Sequence, residues 1–285
     1  MQRFQFSEEQ RARHRAVEAV CRTMALDPGR AEPLFIVYTP VAGLPSCREQ
    51  VEDPARMFAA ELARLQSHLD VGDDYLPTIR VQFGTGQVAA AFGCPIRVLD
   101  DSLPACAGPV IRNAGEVAAL PRPALTAGWY GRLRDFTEYF LEHLPAGAVV
   151  QHPDIQSPFN TAHLIRGDGI FTDFYDAPEV VDALLDRVTD YLLELIPWLK
   201  RQISSDPDWF YDSGVLWKGA ARISNCSMQM ISPEFYERHV LPRDARLLHA
   251  IGGGRVHYCG LVDRVIYKYF RIPDVTGVDY DGRHD

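Results

Sequence analysis

The chain has 285 residues, of which 47% are hydrophobic and 24% charged, and its formal net charge is -9 at pH 7. This composition is typical of a globular protein with one large core, and the acidic balance argues against nucleic acid as the main ligand. No stretch approaches the roughly 18 apolar residues of a membrane span, and residues 1–15 lack the apolar core of a signal peptide. We therefore expect a cytoplasmic protein with one domain over 1–285. About residues 1–30 of that domain would form an N-terminal helical extension.

The first half of the chain alternates short apolar runs, which favour strands, with longer runs of helical spacing. Prolines bound the first apolar run, Pro33 to Pro40, which is typical of a buried parallel strand. A proline-rich excursion from Ile96 to Pro123 follows no regular pattern. We expect strands at 33–40, 78–83 and 148–152, and helices at 53–70 and 129–144.

The second half continues the same alternation. Residues 157–203 are strongly helical, and Ser232-Pro233-Glu234 has the residues that begin a helix, which the glycines from Gly252 onward end. We expect a further helix near 261–269 and strands at 220–226, 255–259 and 275–280. Six strands separated by helices indicate an α/β fold of parallel βα units, a TIM (β/α)8-type barrel of which about six units are present.

Gly84 and Gly86 follow the strand at 78–83 in the order of a dinucleotide-binding fingerprint, with Asp100 and Asp101 further on. The segment from Gly86 to Gly93 is too short for the helix of such a unit. Gly84 and Gly86 are candidates for cofactor binding, and the alternative is a sharp turn or a close backbone approach at a strand end.

Polar side chains follow two of the predicted strands, at the face where barrel enzymes place their chemistry. Asp154 and Gln156 could orient a polar substrate there, or Asp154 could brace the following turn. Asn225 emerges from the strand at 220–226 in the same way. Its neighbour Cys226 we interpret as a small buried residue rather than a ligand.

His257 and Cys259 lie two residues apart at the end of a predicted strand. Side chains alternate between the faces of a strand, so the imidazole and the thiol point to the same side. Nitrogen and sulfur are the donors that zinc prefers, but two ligands alone do not complete a zinc site. The alternative is a packed histidine beside an inert thiol. The chain's six cysteines lack close pairing, so we expect reduced thiols.

Several longer motifs resemble the uroporphyrinogen decarboxylase superfamily. They are Asp154-Ile155-Gln156-Ser157-Pro158-Phe159, Phe174-Tyr175-Asp176-Ala177-Pro178-Glu179, Ile231-Ser232-Pro233-Glu234-Phe235-Tyr236 leading to Leu241-Pro242, and the run from Gly252 to Gly260. The resemblance covers most of the chain from about residue 30 and implies a (β/α)8 barrel.

The resemblance implies one of two chemistries. One branch of the superfamily decarboxylates a tetrapyrrole without a cofactor, using arginines near the N-terminus that residues 1–50 do not match. The other moves a methyl group between a corrinoid protein and a thiol, with zinc on a His-x-Cys pair and a later cysteine. His257 and Cys259 match that pair, whereas no cysteine follows Cys259.

The resemblance therefore leaves the third zinc ligand outside this chain. Either the sequence is a fragment that lacks its last two βα units, or it cannot assemble the zinc site of the family. We expect the fragment, because a barrel with missing strands would expose sheet edges. The leading hypothesis is a zinc-dependent methyltransferase with Asp154, Gln156 and Asn225 lining the pocket. Its partner would be a corrinoid protein, its substrate a thiol, and a homo-oligomer is compatible with it. The alternatives are a tetrapyrrole decarboxylase-like lyase and a non-catalytic remnant that binds a tetrapyrrole.

Overall fold

The computed structural model describes residues 4–259 and 265–281. Its helices are Glu8–Leu26 (α1), Cys47–Glu52 (α2), Pro54–Val71 (α3), Gln87–Ala91 (α4), Tyr130–His143 (α5), Pro158–Arg166 (α6), Gly169–Asp176 (α7), Pro178–Ile203 (α8), Pro233–Phe235 (α9), Leu241–Ile251 (α10) and Ile266–Tyr269 (α11). Its strands are Thr78–Ile79 (β1), Ile96–Arg97 (β2), Ala105–Cys106 (β3), Val149–Val150 (β4), Trp209–Asp212 (β5), Val215–Lys218 (β6), Ala221–Ser224 (β7), Gly254–Cys259 (β8) and Val275–Asp281 (β9).

Local signals set the bounds of the predicted helices. Helix α3 begins after Asp53, whose side chain accepts a hydrogen bond from the backbone of Ala55, and it ends at Gly72 in the left-handed conformation. Gly252 ends α10 in the same way, at φ 87°. Glycine adopts this conformation without the steric cost that other residues incur, which is why the helices stop at these positions.

Helix α8 covers one side of the core. Its inward residues Val181, Leu184, Leu185, Val188 and Leu192 recur at helical spacing and are at most 1% exposed. The helix packs against α5, α6, α7 and α10. An apolar stripe of this kind stabilises a helix mainly through burial, and the helical character predicted for this segment is confirmed.

The strands of the core run parallel in chain order. Strand β1 pairs with β4, and β7 pairs with β8, which pairs with β9. A bridge between Gln156 and Ser224 joins the segment after β4 to β7. The parallel βα arrangement predicted from the sequence is therefore present, but within the described ranges the strands do not close into a barrel.

One sequence-based expectation was wrong, and one hairpin was not expected. Residues 33–40 form no strand, and Phe35 is 70% exposed. Their backbone N–H groups bond to side chains instead, since Phe35 donates to Asp74 and Val37 to Asp73. The antiparallel hairpin of β5 and β6 was not predicted. Part of the helix expected at 261–269 falls on residues 261–264, outside the described residues.

None of the described helices is both long enough and apolar enough to cross a membrane.

Candidate metal site at the ends of two parallel strands

The register of β7 and β8 brings the two strand ends to the same level. Ser224 pairs with His257, and the backbone N–H of Asn225 donates to the carbonyl of His257 over 2.9 Å. The ladder thus continues one residue beyond β7. Cys226, the first residue of a short helical turn after β7, lies beside Cys259 on β8, and Cys259 shares the face of its strand with His257.

Three side chains meet there. His257 Nε2 lies 3.0 Å from Cys259 Sγ, and Cys226 Sγ lies 2.9 Å from Cys259 Sγ. All three donor atoms lie within 4.8 Å of one another, and each residue is half-buried. Cys226, interpreted from the sequence as a small buried residue, is therefore a third candidate donor beside the pair. Spacing along the sequence could not reveal it, since Cys226 precedes Cys259 by 33 residues.

The donor set consists of one imidazole nitrogen and two thiol sulfurs. Nitrogen and sulfur are the donor elements that zinc binds. Burial, and then the neighbouring Cys259 thiol, raise the pKa of the Cys226 thiol to about 12. Without a cation this thiol is therefore neutral at pH 7. A bound metal ion reverses that preference, because a coordinating thiol loses its proton to the solvent.

Asp279 on β9 fixes the imidazole from the other side. It pairs with His257 in the strand register, and its Oδ2 lies 2.7 Å from His257 Nδ1. Burial raises the pKa of Asp279, but the hydrogen bond with His257 and the charges of Arg255 and Arg222 outweigh it, so the pKa is lowered. An ionised carboxylate accepts a hydrogen bond from Nδ1–H, which keeps the proton on Nδ1 and leaves the lone pair of Nε2 free to bind a metal.

Charged side chains fill the space between the strands beside this site. Three arginines and three aspartates pair with one another there, on strands and on the segments that follow β1 and β4: Arg80, Arg222, Arg255, Asp154, Asp212 and Asp279. Asp212 accepts from both Arg80 and Arg255. Burial lowers the pKa of Arg255 to about 10, so it is still a cation at pH 7. The positive and negative charges balance, as buried charges require.

Sequence reasoning missed most of this cluster. Arg222 and Arg255 occupy the positions two residues before Ser224 and His257, on the same face of their strands. A charged residue on the inward face of an otherwise apolar strand was the available signal.

Asp154 and Gln156 lie where the sequence predicted, after β4 and beside β7. Arg222 donates to Asp154 Oδ1 over 2.6 Å, and Gln156 donates to Asp154 Oδ2. Gln156 in turn accepts from Asn160. Asp154 also acts on the thiol of Cys226 through its charge. A substrate-orienting role for Asp154 and Gln156 stays a prediction.

Asn225 is completely buried behind the three donor atoms. Its amide oxygen accepts from Ser157 over 2.7 Å, and its amide nitrogen donates to Asp244 over 2.6 Å. Burial raises the pKa of Asp244 to about 7. These bonds brace the end of β7 from behind, and a direct catalytic role for Asn225 stays a prediction.

Gly84 and Gly86 lie against the chain of the β2–β3 segment. A Cβ on Gly84, whose φ is +72°, would lie 2.0 Å from the carbonyl oxygen of Pro104, and one on Gly86 would lie 3.0 Å from Cys106 Sγ. The close approach is therefore one between two parts of this chain. Cofactor binding at the two glycines stays a prediction.

A separate cavity of about 360 Å³ lies beside the charged cluster. Arg80 is the cluster member that lines it, together with Tyr38, His68, Tyr75 and Gln151 among others. None of the three donor residues lines this cavity.

Parallel strands separated by helices, with an imidazole and two thiols where two strands end, define an α/β protein with a candidate metal site. No family model matches the chain. The methylcobamide:CoM methyltransferase MtbA of Methanosarcina acetivorans is 26% identical over 211 residues, which are 70% of this chain and 56% of that protein. MtbA of Methanosarcina mazei is 25% identical, over 79% of this chain and 62% of its own length.

A solved methyltransferase from Methanosarcina mazei shares the fold. It is 15% identical, has a TM-score of 0.65, and is matched over 92% of this chain and 75% of its own. These likenesses support the resemblance to the uroporphyrinogen decarboxylase superfamily seen in the sequence, and the two curated relatives are named methylcobamide:CoM methyltransferases. The chain spans 56% and 62% of the two MtbA proteins.

Proposed function

We propose that this chain carries the metal-binding part of a zinc-dependent enzyme that transfers a methyl group between a corrinoid protein and a thiol. The observation that carries the proposal is the His257–Cys259 pair, whose donor atoms lie 3.0 Å apart on one face of β8. The MtbA relatives support the methyltransferase branch over the decarboxylase branch.

The residues present fit zinc. A zinc ion held there would bind the substrate thiol as a thiolate, which is a nucleophile at neutral pH. His257 would bind through Nε2, because Nδ1 carries the proton that it donates in the hydrogen bond to Asp279. Cys259 would supply a thiolate from the end of the same strand.

The polar residues beside the pair would position the substrate. Arg222 and Asp154 form an ion pair with side chains 13% and 14% exposed, so both reach the site while remaining tied to each other. A fixed ion pair keeps its dipole oriented without reorganisation during the reaction. The partner implied is a corrinoid protein, and the acceptor is a small thiol.

The test measures metal and activity together. The chain is purified without chelator and under reducing conditions, its zinc is quantified, and the loss of the methyl–cobalt absorbance of methylcobalamin is followed with CoM as the thiol. We expect about one zinc per chain, and at least a 100-fold loss of rate in His257→Ala and Cys259→Ala.

Cys47→Ala is the matched control, because Cys47 is also a half-buried free cysteine but lies at the start of α2. It should keep both zinc and rate. A protein that holds no stoichiometric zinc, and whose rate is unchanged by Cys259→Ala, would refute the proposal. Metal-independent turnover of a carboxylated porphyrinogen would instead establish the decarboxylase alternative.

A further inference from the structure

We infer that Cys226 is the third protein ligand of the metal site, so that β8 and the turn just after β7 together supply two thiolates and one imidazole. The inference rests on the proposed metal site at His257 and Cys259 and adds a residue that the superfamily pattern does not include. Its support comes from the backbone, from the distances between donor atoms and from burial.

The backbone alone places Cys226 beside Cys259. Strand pairing runs from Ala221 with Gly254 to Ser224 with His257, and the bond from Asn225 N–H to the His257 carbonyl extends it. In this register residue 226 stands level with residue 259. Cys259 shares the face of His257 through the twofold period of β8, and Cys226, the first residue of a helical turn beyond β7, meets it there with the two Sγ atoms 2.9 Å apart.

The side-chain distances suit one shared ion. Tetrahedral zinc ligands at about 2.0–2.3 Å from the metal lie roughly 3.5–3.8 Å from one another. The Sγ atoms of Cys226 and Cys259 are 2.9 Å apart, and His257 Nε2 is 3.0 Å from Cys259 Sγ. Moving the two thiols apart by less than about 1 Å, which side-chain rotation allows, would make room for the ion.

Burial distinguishes Cys226 from Cys21 and Cys94, and its place beside Cys259 and His257 distinguishes it from the half-buried Cys47 and Cys106. Cys21 and Cys94 are only 2% and 4% exposed, as expected for small apolar residues that fill a core. Cys226 and Cys259 are both half-buried and meet at the edge of the strands. A contact between two neutral thiols is a weak hydrogen bond, whereas two thiolates on zinc gain strong coordination.

The ligand set is counted directly by X-ray absorption at the zinc edge. The reduced, metal-free chain is reloaded with zinc, and its affinity is measured by competition with a chelator. We expect two sulfur neighbours in the wild type and one in Cys226→Ala, with a loss of zinc affinity of at least about 100-fold, beyond the range for residues that only orient a ligand.

Cys226→Ser keeps the size of the side chain and serves if the alanine variant does not fold, while Cys47→Ala should keep two sulfurs and full affinity. One sulfur in the wild type, two sulfurs in the folded Cys226 variants, or an affinity within twofold of the wild type would overturn the inference. Two sulfurs without methyl transfer would leave the ligand set standing and refute the proposed function. Methyl transfer by a protein with one sulfur neighbour at zinc would leave the proposed function standing and refute the inference about Cys226.

Discussion

Asp244 provides a test of the buried network behind the metal site. The carboxyl group is completely buried, its Oδ2 accepts from Asn225 over 2.6 Å and from Tyr236 over 3.4 Å, and its Oδ1 has no partner. Burial raises its pKa from 3.8 to about 7, and the hydrogen bonds from Asn225 and Tyr236 only partly oppose this. Below pH 7 the folded protein therefore holds a proton that the unfolded chain has already released.

The sign of the pH dependence follows from this difference. Where the folded state binds more protons than the unfolded state, stability falls as the pH rises. At about 1.4 kcal/mol per pKa unit, the Asp244 contribution amounts to about 4 kcal/mol lost between pH 4 and pH 8. About 2.5 kcal/mol of this loss should fall between pH 5 and pH 8.

The replacement Asp244→Asn removes the titration and keeps the shape. Its amide oxygen can accept from Asn225 and Tyr236, and its amide nitrogen occupies the place of the unpartnered Oδ1. Urea unfolding of both proteins at pH 5, 6, 7 and 8 gives the free energies. We expect the variant to lose less stability than the wild type as the pH rises, by about 2.5 kcal/mol over this range. Parallel pH curves would show that Asp244 is ionised throughout and refute the reasoning.

Two further predictions concern other parts of the chain. Asp279→Ala should weaken zinc binding by about 10- to 100-fold because the His257 ring loses its orienting acceptor. Asp279→Asn, which keeps an acceptor oxygen, should weaken zinc binding less. Equal zinc affinity of the wild type and both variants, measured by competition with a chelator, would contradict this prediction. Gly84→Ala should lower the free energy of unfolding by about 3 kcal/mol or more, since its Cβ would meet the Pro104 backbone at a positive φ. Gly43→Ala is the control, because Gly43 has a similar φ of +74° and a Cβ there would have nothing within 4 Å. This variant should lower the free energy of unfolding by only about 1 kcal/mol in a urea titration. A similar loss of stability in both variants would rule out the steric argument.

The apolar run at 33–40 shows where local pattern reasoning fails. Its composition suits a strand, but a strand also needs a neighbouring ladder, and here Asp73 and Asp74 take the backbone N–H groups of Val37 and Phe35. The hairpin of β5 and β6 was missed for the opposite reason. The sequence marks its turn with the pair Ser213-Gly214, and both residues adopt positive φ in the structure.

The sequence by itself determined the elements whose causes are local. Caps and apolar spacing set α3 and α8, and the twofold period of a strand put His257 and Cys259 on one face. The motifs around them were specific enough to indicate the superfamily. These features need only neighbours a few residues away, so the order of residues is sufficient.

Only the tertiary structure decided the composition of the site. Cys226 precedes Cys259 by 33 residues, Asp279 follows His257 by 22, and Asp212 follows Arg80 by 132. These groups meet because parallel strands distant in sequence pair in one particular register, and that register depends on packing of the whole core. The His-x-Cys pair was therefore visible in the chain, while the thiol and the carboxylate that complete its surroundings were not.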